Sequence, residues 1–132
     1  QALGSFLLVA IGGAFGSAAR YGCALLLEGR LVDWPLGTLG ANLLGCFVIG
    51  VINGLTQDLD LPLISKEGRL LLATGFCGGL TTLSSFINEL GGLTRDGRFG
   101  TAGLYFALTL GGATLAFVLG LFLARVIREI LR

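Results

Sequence analysis

The chain has 132 residues, of which 54% are hydrophobic and 13% charged, with 23 glycines and a net charge of +1. A soluble domain carries roughly 25% charged residues, about twice this supply, and the lack of histidine removes histidine-based triads and histidine-ligated zinc. Three scattered cysteines without C-x-x-C spacing read as small hydrophobes, Lys66 is the only lysine, and no basic run offers nucleic acid a surface, so neither an enzyme nor a nucleic-acid partner is expected.

Four stretches contain no Asp, Glu, Lys or Arg: residues 1–19, 34–57, 70–88 and 99–124. Each is close to the roughly 20 apolar residues that a helix needs to cross a bilayer. Four crossings consume most of the chain. The expected architecture is a single all-α integral membrane domain, residues 1–132, with spans at about 2–27, 35–56, 70–93 and 99–126. Ser17-Ala18-Ala19 in the first span resembles a signal cleavage site, but the stretch before it carries no basic residue, and it reads as a span. Arg20 is nearly a full span from the start and either snorkels to an interface or lines a wet vestibule.

Asp33-Trp34-Pro35 opens the second span, with Trp34 as an interfacial anchor and Pro35 as a first-turn residue. Within that span Asn42 places a primary amide in hydrocarbon, which costs on the order of 2–7 kcal/mol unless paired. It is either glue between helices or a donor facing a pathway. A polar connection over 57–69, carrying Asp58, Asp60, Lys66, Glu67 and Arg69, leads to the third span.

The third span holds the strongest local signal, Gly75-Phe76-Cys77-Gly78-Gly79-Leu80-Thr81-Thr82-Leu83-Ser84-Ser85-Phe86. Three glycines followed by four hydroxyl residues make a poor continuous helix. A break at membrane depth is tolerated where protein covers it or water reaches it. It frees carbonyls for a small hard cation and N–H groups for an anion. The alternative is an unbroken helix whose hydroxyls bond back to their own turn. Glu89 closes the charge-free run and either pairs with Arg20 or meets water. In the fourth span Tyr105 and Thr109 share a face at i, i+4 spacing, and Thr114 poses the same question as Asn42.

Small residues four apart, Gly12/Gly16, Gly50/Gly54, Gly75/Gly79 and Gly103/Ala107/Gly111, let helix backbones approach closely. Four short helices have little interior, so a protein-walled pathway forms more readily between two copies, and a homodimer is expected. With four spans, and Arg20 set aside, Lys66, Arg69, Arg125, Arg128 and Arg132 share one side, against Arg30, Arg95 and Arg98 on the other. That small imbalance is read either as termini facing the cytoplasm or as insertion in both orientations.

At these residues the sequence is similar to the small fluoride channels of the Fluc or CrcB family. The matching pieces are Gly12-Gly13-Ala14-Phe15-Gly16 with Arg20-Tyr21, then Trp34 through Gly45, then Thr74 through Phe86, in family order. The resemblance implies an antiparallel, dual-topology homodimer in the plasma (inner) membrane, surrounded by lipid, with two fluoride pores. It implies a structural Na+ at the dimer centre, held by the backbone carbonyls of Gly78 and Thr81, and no organic cofactor. The fluoride pathway would map onto Asn42, Leu83, Ser84, Ser85, Phe86, Tyr105 and Thr109, and the vestibule arginine onto Arg20. Where the family has two phenylalanines three apart, this chain has Leu83 and Phe86, and the next track position falls near Ala113, which has no hydroxyl.

Fluoride is small and strongly hydrated, so short hard donors must replace its water while Phe86 and Leu83 exclude bulk solvent. With no coupling group, flow follows the electrochemical gradient and exports accumulated fluoride from a negative interior. Two other readings exist. A proton-coupled small multidrug exporter needs a mid-membrane carboxylate, which the first span lacks. A non-conducting packing subunit explains the glycines but not Asn42 beside a break-prone helix.

Overall fold

The computed structural model of the chain describes residues 2–56 and 63–131. Asp58 and Asp60 of the expected connection, and Arg132, lie outside them. Helix α1 is Ala2–Leu27 and α2 is Leu36–Thr56. The third span, Lys66–Arg95, is composite. It opens with α3 (Lys66–Arg69), widens into π-type turns over Leu70–Cys77, returns to a short α4 (Gly78–Leu80) and resumes after two extended residues as α5 (Leu83–Arg95). Helix α6 is Phe99–Ile130. All four spans are long and apolar enough to cross a membrane.

The helix ends have identifiable causes. Ser65 caps α3 by accepting from the Gly68 N–H at 3.0 Å, which starts the third span four residues before its charge-free stretch. Helix α5 ends in a Schellman turn: Arg98 N–H donates to Leu93 O at 2.8 Å and Gly97 N–H to Thr94 O at 3.0 Å. Gly97 takes φ 76°, the left-handed conformation this turn requires. The fourth span runs to Ile130, past the expected 126, and there Arg128 lies back on α2. Its Nε donates to Gly54 O at 2.9 Å and its Nη2 to Leu55 O. Arg69 reaches the same helix end, donating to Asn53 Oδ1 at 2.7 Å and Thr56 Oγ1 at 3.2 Å. Leftover carbonyls at the end of α2 are thus met by Arg128 of α6, while Arg69 ties the side chains of the same helix end to the third span.

Glycine makes close helix crossings possible in this bundle, and two of them involve paired stripes. A Cβ at Gly12 would strike the backbone at Leu71 and Phe76, and one at Gly16 would strike Phe76 O and Leu80 N. Gly75 and Gly79 return the contact from the third span against Val9, Gly12, Gly13 and Ser17 of α1. In the second crossing, Gly50 meets Phe117 and Gly120 meets Phe47 and Val51 at backbone distance. The expected Gly12/Gly16, Gly50/Gly54 and Gly75/Gly79 contacts therefore form inside one chain. Gly103 and Gly111 differ: a Cβ at either would meet nothing within 4 Å. The face of α6 that carries them is turned away from the chain's own helices.

This geometry predicts that Gly16→Ala lowers stability by about 1–3 kcal/mol, because the opposing atoms are backbone and cannot rotate aside. Gly22, on the same helix with open space around it, is the control. Gly22→Ala should hold or raise the thermal midpoint in detergent, since alanine favours helix by about 1 kcal/mol.

Candidate functional site

The break in the third span is at Thr81 and Thr82, which are extended at φ −80°, ψ 153° and φ −151°, ψ 117°. Two side chains hold it open. Asn42 of α2 faces Thr82 and replaces its missing helical partners: Thr82 N–H donates to Asn42 Oδ1 at 2.7 Å, and Asn42 Nδ2 donates to Thr82 O at 3.2 Å. Thr82 in turn caps α5, its Oγ1 accepting from Ser85 N–H at 3.2 Å. The same hydroxyl donates to Ser85 Oγ and shares a bond with Ser84 Oγ, each at 3.2 Å. The chain can cross this depth without a helix because an amide and a hydroxyl meet its backbone.

Rerouting these donors leaves two acceptors behind. In a continuous helix Gly78 O would accept from Thr82 N–H, which here goes to Asn42. Thr81 O would accept from Ser85 N–H, which here goes to the Thr82 hydroxyl. Thr81 itself turns back, with its N–H and its Oγ1 both donating to Cys77 O at 3.0 Å. Gly78 is exposed and Thr81 half-buried. The carbonyls of Gly78 and Thr81 are thus hard oxygen dipoles released from helical bonding at the end of the first half-helix.

The N–H side of the break faces a different space. A cavity of ≈ 220 Å³ is lined by Asn42, Cys46, Thr81, Thr82, Leu83 and Phe86, and on α6 by Thr109, Leu110 and Ala113. Thr109 is 5% exposed, and its Oγ1 is buried with no hydrogen-bond partner among the described residues. An unpaired buried hydroxyl costs about 1–3 kcal/mol. Phe86 is buried in the wall, whereas Leu83 is 71% exposed at the rim. Thr114 does not join the cavity lining; its Oγ1 donates to Leu110 O in its own helix at 2.7 Å.

Tyr105 sits in a neighbouring cluster. Its fully buried hydroxyl donates to Glu89 Oε1 at 2.9 Å, and Thr38 Oγ1 donates to Glu89 Oε2 at 2.9 Å. The tyrosine ring packs edge-on against Trp34 (centroids 6.2 Å apart) and Phe86 (5.1 Å). Phe86 therefore belongs both to the 220 Å³ cavity and to the tyrosine cluster. Beyond Glu89 opens a vestibule of ≈ 540 Å³, lined also by Glu28, Asp33, Trp34, Pro35 and Asp96. Asp33 at its rim pairs with Arg98, joining the two connections at this end of the bundle. The order from vestibule to cavity is Glu89, Tyr105, Phe86, then Thr109 and Asn42.

Of the residues singled out from sequence, Asn42, Leu83, Phe86 and Thr109 line one cavity, Ser84 and Ser85 surround the Thr82 hydroxyl, and Tyr105 stands one cluster away. Arg20 is on the other side of the break, donating from Nε to Gly79 O at 3.1 Å. Sequence reasoning passed over Thr38 and Thr82 as site residues, and it offered Glu89 a pairing with Arg20 or water, where the structure gives it Tyr105 and Thr38 and sends Arg20 to Gly79 O. A signal for Glu89 existed, since a carboxylate at the end of a span facing a tyrosine-bearing span needs donors.

A family model described as CrcB-like protein, Camphor Resistance (CrcB), matches residues 7–121. A curated relative from Chlorobium phaeobacteroides (strain DSM 266) is 47% identical over 92% of this chain and 93% of its own length. One from Chlorobaculum tepidum is 47% identical over 90% and 93%, respectively. One from Pseudomonas aeruginosa (strain UCBPP-PA14) is 43% identical over 89% and 91%. All three bear the name Fluoride-specific ion channel FluC.

Proposed function

The chain belongs to the CrcB-like family, and from its site we propose that it is a fluoride channel, a multi-pass protein of the plasma membrane that lets fluoride leave the cell passively. It is not an enzyme. The observation that carries the mechanism is the unpartnered Thr109 hydroxyl in a cavity shared with Asn42 and the start of α5. An amide nitrogen has two hydrogens; Thr82 O takes one from Asn42, and the other is available to an anion. Thr109 supplies an O–H, and the first N–H groups of α5 add the positive end of a helix dipole. These neutral donors replace fluoride's water piecewise without trapping it behind a fixed positive charge. Phe86 and Leu83 provide the apolar wall that keeps bulk water out.

The pathway is completed by a second copy in an antiparallel homodimer. Supporting this are the exposed Leu83 and Leu110 at the cavity's rim, 71% and 49% exposed, and the unpartnered Gly103/Gly111 face of α6. A single chain leaves the cavity without a wall on that side. The near balance of basic residues at the two ends agrees with insertion in both orientations.

The carbonyls of Gly78 and Thr81 fit a sodium ion, because both have lost their helical donors and are neutral hard oxygens. Among the described residues no three His, Cys, Asp or Glu side chains gather as ligands, so the set suits a monovalent hard cation held by dipoles. The ion would tie the carbonyl ends of the two breaks together and has no part in moving fluoride.

The test is electrode-monitored fluoride efflux from potassium-loaded liposomes containing the purified protein, with valinomycin to clamp the potential and chloride as the control. Fast, valinomycin-dependent fluoride loss with little chloride loss is expected. Equal chloride loss, or a flux that proceeds without valinomycin, would overturn the passive selective pathway.

A further inference from the structure

The contact between Arg20 and the break gives this arginine a task beyond lining a vestibule. Gly12, Gly16 and Arg20 are spaced four apart and form one stripe of α1 facing the third span. At Gly12 and Gly16 the two backbones touch, and Gly79 is pressed against Gly13 and Ser17. Arg20 is the first long side chain of the stripe. Helical side chains lean toward the helix N-terminus, which carries the guanidinium back over Gly79, where Nε meets its carbonyl at 3.1 Å. In a continuous helix that carbonyl would accept from the amide of Leu83. The extended Thr81 and Thr82 carry that amide away. A cation thus stands at the negative end of the first half-helix, on the one carbonyl between Gly78 and Thr81 whose partner is a charged side chain.

We propose that Arg20 is a positioning residue that caps Gly79 and thereby sets the aim of the flanking Gly78 and Thr81 carbonyls. The break is then held from two sides by side chains of different helices. Asn42 of α2 grips the strand at Thr82, and Arg20 of α1 grips the end of the first half-helix. Removing the arginine frees Gly79 to seek another donor and lets the α4 turn rotate, which misaligns its neighbours. The consequence for sodium rests on the reading of the Gly78 and Thr81 carbonyls given above; the consequence for the break does not.

The experiment compares wild type with Arg20→Gln and Arg20→Lys in two measurements on the full-length purified protein. The first is the rise in thermal midpoint as sodium chloride replaces N-methylglucamine chloride. The second is amide hydrogen exchange over residues 78–85, with α6 as the internal reference. A hydrogen bond from a charged group accounts for roughly a ten-fold change or more, so Arg20→Gln should need about ten times more sodium for the same rise. Its 78–85 segment should exchange about ten-fold faster, with α6 unchanged. Arg20→Lys keeps the charge but not the planar donor and should fall between, roughly two- to three-fold from wild type. Unchanged sodium response and exchange in Arg20→Gln, with reduced flux, would overturn the proposal and leave Arg20 as a charge at the mouth. A wild type indifferent to sodium sinks the sodium reading alone, and the exchange data then decide the role of Arg20. Should the glutamine variant not fold, exchange in the lysine variant decides, and a wild-type rate overturns the proposal.

Discussion

Replacing Asn42 with alanine is expected to abolish fluoride efflux and to weaken the fold at the same time. Alanine strips both the donor and the acceptor from the Thr82 backbone. Each buried, unpaired group costs about 1–3 kcal/mol, so the loss should reach about 2–6 kcal/mol, and the break should relax toward a helix that closes the cavity. A packing role alone would also predict lower stability, and Asn42→Asp separates the two. Aspartate still accepts from Thr82 N–H but gives up the donor to Thr82 O, so it should keep part of the stability that alanine loses, and in its ionised form it adds a negative charge to the cavity lining. A like charge about 4 Å from the anion costs about 4 kcal/mol at an effective dielectric near 20, more than two powers of ten in occupancy. Fluoride efflux through folded Asn42→Asp should therefore fall at least ~100-fold. If that variant conducts at the wild-type rate, Asn42 is glue and the path lies elsewhere.

The dual reading of Asn42 shows what a sequence can and cannot resolve. That a buried amide must be paired follows from its chemistry; that its partner is the backbone of Thr82, 40 residues away, follows only from the packing of α2 on the third span. The break is foreseeable from Gly78, Gly79 and the hydroxyl run, yet its position is not. Glycine loosens a helix, but Gly75 and Gly79 are committed to contact with α1, and the backbone opens at the two threonines, where side chains can replace helical bonds. The π-type turns over Leu70–Cys77 have no sequence signature at all, because apolar residues at this spacing fit either helix. Tyr105 and Thr109 share a face by arithmetic, but which of them keeps a free hydroxyl depends on Glu89. That carboxylate comes from another span and binds Tyr105, leaving Thr109 open.

Thr109→Val should move stability and flux in opposite directions. Valine has the shape of threonine without the hydroxyl, and the hydroxyl it removes is buried without a partner. Stability should hold or rise, by up to about 1 kcal/mol, since an unpaired polar group is exchanged for a methyl. Fluoride efflux should fall roughly ten-fold or more, because a donor that compensates for lost hydration is gone. Thr109→Ser keeps the O–H and should conduct near the wild-type rate. Paired melting curves and liposome flux measurements check both signs. A valine variant that conducts normally would remove Thr109 from the path, and one that melts well below wild type would mean that the hydroxyl holds the bundle together. Tyr105 supplies the contrast: its hydroxyl is occupied by Glu89, so removing it leaves that carboxylate with Thr38 as its remaining donor and confounds the two effects. Opposite signs for stability and flux in Thr109→Val would mark a hydroxyl kept at a cost to the fold for its ligand.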